Sequence, residues 1–171
     1  YVSAFAAGAD PTLDELADIR CAVSEAVTNC IVHAYGTRKY PDVGYIYISV
    51  RLYDTREISV EISDNGCGMS EEFLKKVTDP FTTTRTTRKV GLGIPMLKQS
   101  AEMSDGAFSI QSTVNVGTTI SATFHLGHID CIPMGEICDT LLTLVTLNPE
   151  KPEFVFEARA GEAEALFDTR M

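Results

Sequence analysis

The sequence has no run of about eighteen apolar residues, and no charged stretch followed by an apolar core at its start, which argues against a membrane span and a signal peptide. Its five cysteines, Cys21, Cys30, Cys67, Cys131 and Cys138, are odd in number and never form a Cys-x-x-Cys pair, so neither a disulfide framework nor a zinc site is indicated. A reducing compartment, the cytoplasm, fits this usage. Positive charge is scarce: 14 Lys and Arg against 24 Asp and Glu leave a net charge of −10, which disfavours nucleic acid and anionic membranes as partners. Any phosphate binding must therefore be local. The 171 residues, 44% hydrophobic and 22% charged, suit one compact domain with an appended piece.

Against these absences stands a well-patterned N-terminal helix. Thr12 to Glu15 reads as a capping box, and an apolar stripe runs from Leu13 to Ala34 before Gly36 stops it. Three polar side chains, Glu25, Asn29 and His33, recur at every fourth position, so each advances only about 40° around the helix and together they line the border of its buried face. A carboxylate beside an amide at such a border can hold a hydrated divalent cation. His33 fits either a phosphate contact or a packed, hydrogen-bonded structural histidine.

Two alternating segments follow, Ile46 to Leu52 and Ile58 to Ile62, joined near Asp54 to Arg56 as a hairpin. Continuing the second register turns Asp64 toward the core, where a carboxylate needs donors. The alternative is an Asp-Asn-Gly turn in which Asp64 caps backbone amides. Cys67, between Gly66 and Gly68, reads as small filler. Ser70 opens a short helix ending near Thr78, and Thr82 to Lys89 has no apolar period and reads as a loop. Its hydroxyls and cations, among them Thr83, Arg85 and Arg88, suggest contact with a polyphosphate in an otherwise acidic chain.

Gly91 and Gly93 precede a helix to about Ser104 with Pro95 in its first turn, a place where backbone N–H groups can approach phosphate. Ala107 to Thr113 and Thr118 to Leu126 form a second hairpin around Asn115 to Gly117, with Thr118, Ile120, Ala122, Phe124 and Leu126 inward. The tail is expected to give a helix from Gly135 to Leu147, a strand from Phe154 to Ala158 and a returning strand from Ala163 to Phe167.

The ordered set "SEAVTNCIVHAYG", "DNGCG", "PFTTTRTTRKVGLGIPMLKQ" and "GTT" resembles the GHKL ATP-binding superfamily, which includes histidine-kinase ATPase domains and bacterial anti-sigma-factor serine kinases. The first string is most similar to the anti-sigma kinases and the third to histidine kinases. The resemblance implies an α+β fold, a two-layer α/β sandwich with a mixed sheet covered by helices on one face. It places the ATP-binding domain in residues 1–126, with a strand and a helix start that normally precede Asp10 missing, and leaves 127–171 as a C-terminal α/β extension for partner recognition or regulation.

Carried over by motif, Glu25 would polarise an attacking hydroxyl or water, Asn29 would bind Mg2+, and Asp64 would accept the adenine amino group beside Gly66 and Gly68. Thr83, Arg85 and Arg88 would belong to the lid over ATP, Gly91 and Gly93 would flank the phosphates, and Thr118 would stand near adenine. No Gly-x-x-x-x-Gly-Lys loop is present, so phosphate grip would rest on the lid and the helix terminus.

The implied function is a cytosolic Mg-ATP protein kinase of the anti-sigma type, with a regulatory protein partner such as an anti-sigma antagonist, a sigma factor or a response regulator. A homodimer is left open. The alternatives are an ATP-dependent binding switch without phosphotransfer and the ATPase domain of a histidine-kinase system.

Overall fold

The computed structural model describes residues 19–35, 44–53, 56–78, 93–135, 137–149 and 152–170. Thr12 to Glu15 and the Thr82 to Lys89 loop, as well as Gly91, lie outside them. Helix α1 runs over Ile19–Asn29, and the chain continues as a π-helical segment over Cys30–Ala34. The alternating segments form β1 (Tyr45–Leu52) and β2 (Glu57–Asp64), and α2 (Glu71–Val77) follows. Next come α3 (Gly93–Met103), β3 (Phe108–Thr113) and β4 (Gly117–His125). The tail gives α4 (Ile137–Leu147), β5 (Glu153–Ala160) and β6 (Ala163–Asp168).

The strands make one mixed sheet in the order β3-β4-β2-β1-β5-β6, antiparallel except for β1 beside β5. Alternation decides its faces. Ile46, Ile48, Ile58, Val60, Ile62, Ala122 and Phe124 point to one side and are buried against Val23 and Val27 of α1 and Leu97 of α3. The opposite side carries polar groups; on it Ser63 and Thr119 hydroxyls meet at 3.0 Å, and Tyr47 donates to Glu157. The sequence thus gives the expected α+β sandwich, with helices over one face of a mixed sheet.

The α/β extension adds β5 and β6 to this sheet: Ile46 pairs with Phe154 and Ile48 with Phe156 across the parallel β1/β5 ladder. Leu141 and Leu144 of α4 and Phe154 enter the same core. The tail also reaches the start of α1, where the N–H groups of Ile19 and Arg20 donate to the carbonyls of Pro133 (2.8 Å) and Met134 (3.0 Å). Opening N–H groups of a helix have no partner within it, and here the chain before α4 supplies them.

Two local expectations change. Leu126, placed inward by extending the period of β4, lies past the strand end and is 39% exposed, because its N–H closes the hairpin end onto Arg56 at 2.9 Å. The helix predicted as one α-helical stripe to Ala34 turns π-helical at Cys30, with hydrogen bonds reaching five residues back. Cys30 and Ala34 stay buried, and His33 becomes exposed. Among the described residues no helix is long and apolar enough to cross a membrane.

Because β5 shares the core of the N-terminal segments, the tail is expected to unfold with them. Phe154→Ala, at a side chain 2% exposed, should lower the unfolding free energy by about 3–5 kcal/mol within a single denaturant transition. Leu166→Ala on β6, 64% exposed, should change it by no more than about 0.5 kcal/mol. An early transition confined to the tail in the Phe154 variant would show two folding units.

Candidate functional site

The candidate site lies where the end of β2 meets the end of the α1/π-helical rod, with the start of α3 packed against Glu25 farther back along that rod. Asp64 closes β2, opposite Ile46 of β1 and Thr118 of β4. Its inward register puts it in the core, 6% exposed. One carboxylate oxygen, Oδ1, accepts the Gly66 N–H at 2.8 Å, and the Cys30 thiol and the Thr118 N–H donate to the same carboxylate. Asp64 is thus a core carboxylate and a turn cap at once. Burial pushes its pKa above the ordinary aspartate value, and the three donors pull against that shift.

Thr118 stands beside Asp64 with its hydroxyl 2.9 Å from Ser112 Oγ, which also accepts the Met69 N–H at 2.8 Å. That chain of contacts pins the glycine loop to the β3/β4 hairpin. Gly66 has a packing reason to be glycine, since a Cβ there would lie 2.4 Å from the Cβ of Ala34. Gly68 adopts φ 59°, and a Cβ would press on the Thr113 carbonyl. Both glycines therefore let the loop close on its own neighbours.

Glu25 and Asn29 are half-buried on α1, one turn apart. Gly93, the first residue of α3, lies directly on Glu25: a Cβ there would come 2.4 Å from Glu25 Cγ. The opening N–H groups of α3 therefore start against the Glu25-bearing face of α1, which sets that side chain beside the positive end of the helix. Burial raises the pKa of Glu25 above the ordinary glutamate value. Asn29 precedes Cys30, whose thiol reaches Asp64.

Contacts join Asp64, Gly66, Gly68 and Thr118 in one cluster at the end of β2, Gly93 lies on Glu25, and Asn29 follows Glu25 one turn along α1. His33 projects outward from the π-helical segment, while its carbonyl accepts from the Cys67 thiol at 3.4 Å. Thr83, Arg85, Arg88 and Gly91 lie outside the described residues. Among the described residues no three His, Cys, Asp or Glu side chains converge to hold a metal ion. One amide and one carboxylate on a helix instead suit a cation that arrives with phosphates.

Sequence reasoning missed Cys30, Tyr35, Asn65 and Ser112, which hold these groups in place. Tyr35 carried a readable signal, a phenol at the close of the helical pattern. The other three are ordinary residues whose contacts arise only in three dimensions.

A mixed sheet covered by helices on one face, with a buried aspartate at a strand end, defines a two-layer α+β sandwich. Comparison with known proteins fixes the family: the model of the histidine kinase-, DNA gyrase B-, and HSP90-like ATPases matches residues 15–128. The chain belongs to that family. It is 37% identical over 126 residues to the anti-sigma F factor of Caldanaerobacter subterraneus subsp. tengcongensis, covering 74% of this chain and 81% of that protein. It is 40% identical over 126 residues to the anti-sigma F factor of Bacillus subtilis, covering 73% and 80%. Among solved structures, the histidine kinase domain of an Erythrobacter litoralis blue-light activated histidine kinase aligns with a TM-score of 0.47 and 19% identity, over 64% of this chain and 43% of that one.

The elevated pKa of Glu25 fixes the sign of a pH effect. A carboxyl whose pKa is higher folded than unfolded holds more protons when folded, so its contribution to stability falls as pH rises through that interval. Glu25→Gln is accordingly expected to melt at a higher temperature than the parent near neutral pH. That advantage should shrink as pH drops below the ordinary glutamate value of 4.5. Thermal melts across the acid range would show this, and a variant that melts no higher near neutrality would contradict it.

Proposed function

We propose that this chain is a Mg-ATP-binding protein kinase of the anti-sigma type, which transfers the terminal phosphoryl group of ATP to a serine of a regulatory protein partner. The observation that carries this reading is the buried Asp64, held by three donors at a strand end, beside the helix that bears Glu25 and Asn29. A desolvated carboxylate that still accepts hydrogen bonds suits an exocyclic amino group, and in this reading adenine lies against Asp64 and Thr118. The phosphates then extend toward Asn29 and the N-terminus of α3.

Bound Mg2+ would neutralise charge on the phosphates, and the Asn29 amide is the group that would hold it. Glu25 accepts the proton of the partner's hydroxyl as that oxygen attacks the terminal phosphorus, and ADP departs. Its raised pKa supports proton acceptance, since a base works best when its pKa lies closer to the working pH. Arg85, Arg88 and Thr83 would close over the phosphates, and His33, outward from the π-helical segment, would contribute from the rim. The relatives named anti-sigma F factors point to a sigma factor and its antagonist as the class of partner. Residues past 128 lie beyond the family match and end in the edge strand β6, and partner recognition belongs there in this reading.

Calorimetry tests the nucleotide. The parent should bind ATP with magnesium and bind GTP poorly. Asp64→Asn should weaken ATP by about 1–3 kcal/mol, the scale of a lost hydrogen bond to a charged group, and Asn29→Ala should remove the dependence on magnesium. Equal affinity for ATP and GTP would remove Asp64 as the base-reading group. Incubation with labelled ATP and candidate partners tests transfer: label that survives acid marks phosphoserine, acid-labile label marks phosphohistidine, and tight binding without label marks a switch.

A further inference from the structure

We propose that Tyr35 is a positioning residue for base recognition, holding the Asp64 loop in register through its hydroxyl; this rests on the reading that Asp64 accepts the amino group of adenine. Tyr35 ends the π-helical segment with φ −121° and ψ −2°. Its hydroxyl lies 2.7 Å from the Tyr45 carbonyl and 2.8 Å from Asn65 Oδ1, and it accepts the Asn65 N–H at 3.2 Å. Asn65 Oδ1 in turn accepts the Tyr45 N–H at 2.9 Å. One phenol oxygen therefore joins the end of the α1 rod, the first residue of β1 and the residue that follows Asp64.

The single hydroxyl proton can serve only one acceptor at a time, the Tyr45 carbonyl or Asn65 Oδ1. Either choice leaves the oxygen free to receive the Asn65 N–H, so the backbone beside Asp64 stays fixed. Asp64 itself is anchored on one oxygen by Gly66, two residues along the same loop. A shift of Asn65 would therefore swing both Gly66 and the carboxylate. Burial, and then the charge of Asp64, push the Tyr35 phenol well above its ordinary pKa, so it keeps its proton throughout the physiological range.

The ring is held independently of the hydroxyl. A Cβ at Gly44 would come 2.6 Å from Tyr35 Cε1, so the ring packs flush on that backbone. Tyr35→Phe therefore keeps the packing and removes only the oxygen. This separates positioning from core filling.

The probes are ATP and purine riboside 5′-triphosphate, which differ only in the 6-amino group, with affinities measured by calorimetry on the full chain. The parent should favour ATP by roughly tenfold, the scale of one charged hydrogen bond. Tyr35→Phe should lower affinity for ATP about fivefold and leave the purine analogue unchanged, which collapses the preference. Asn65→Ala, which removes the side-chain oxygen that meets the Tyr35 hydroxyl and the Tyr45 N–H but keeps the backbone N–H bond to Tyr35, should narrow the preference in the same direction and keeps the test open if the phenylalanine variant folds poorly. Equal losses for both nucleotides would overturn the proposal in favour of a packing role, as would an unaltered preference in both variants. A parent that does not distinguish the two nucleotides would overturn base reading by Asp64, and the role of Tyr35 with it.

Discussion

The buried carboxylate of Asp64 is the constraint on which the rest of the site depends. Removing an ionisable group from water is costly unless donors replace the water, and β2 alone cannot supply them. The donors come from three places: the amide of Gly66 in the following loop, the amide of Thr118 on β4 and the thiol of Cys30 beyond α1. Satisfying one side chain therefore requires the helix, the loop and the second hairpin to meet at one point. Glu25 and Asn29 lie on α1, whose π-helical continuation carries Cys30 to that point.

The parts of this arrangement that repeat were legible in the sequence. Period-two alternation through Ile58, Val60 and Ile62 carried Asp64 inward without any knowledge of its neighbours, and Ser70 was readable as the cap that now accepts the Phe73 N–H at 3.2 Å. The π-helical segment was not legible. Its apolar residues look the same in either helical form, and the choice follows from what Ala34 and Tyr35 meet on the loop. His33 leaves the stripe for that reason, since a spacing of four keeps residues on one line only while the helix stays α-helical.

Sheet order was likewise beyond local reading. The period of Phe154 and Phe156 announces a strand but names no neighbour, and a parallel mate for β1 more than a hundred residues away leaves no mark on either segment. The family match ends at residue 128, so β5 and β6, two of the six described strands, lie outside it, while β5 shares its core. Membership in the ATPase family and the architecture of this chain are thus separate facts. The inherited part supplies the carboxylate site, and the remainder widens the sheet and braces the helix layer.

That bracing gives α1 the mechanics of a beam built in at both ends. At one end its opening amides are fastened to Pro133 and Met134, and at the other the Tyr35 hydroxyl is tied to β1 and the Asp64 loop. A rod fixed only at one end pivots, and groups along it sweep through an arc. Fixed at both, it keeps its span nearly still and passes any displacement of one support to the other. Glu25 and Asn29 sit in mid-span, so a ligand pulling on the segment before α4 would load the same member that carries them.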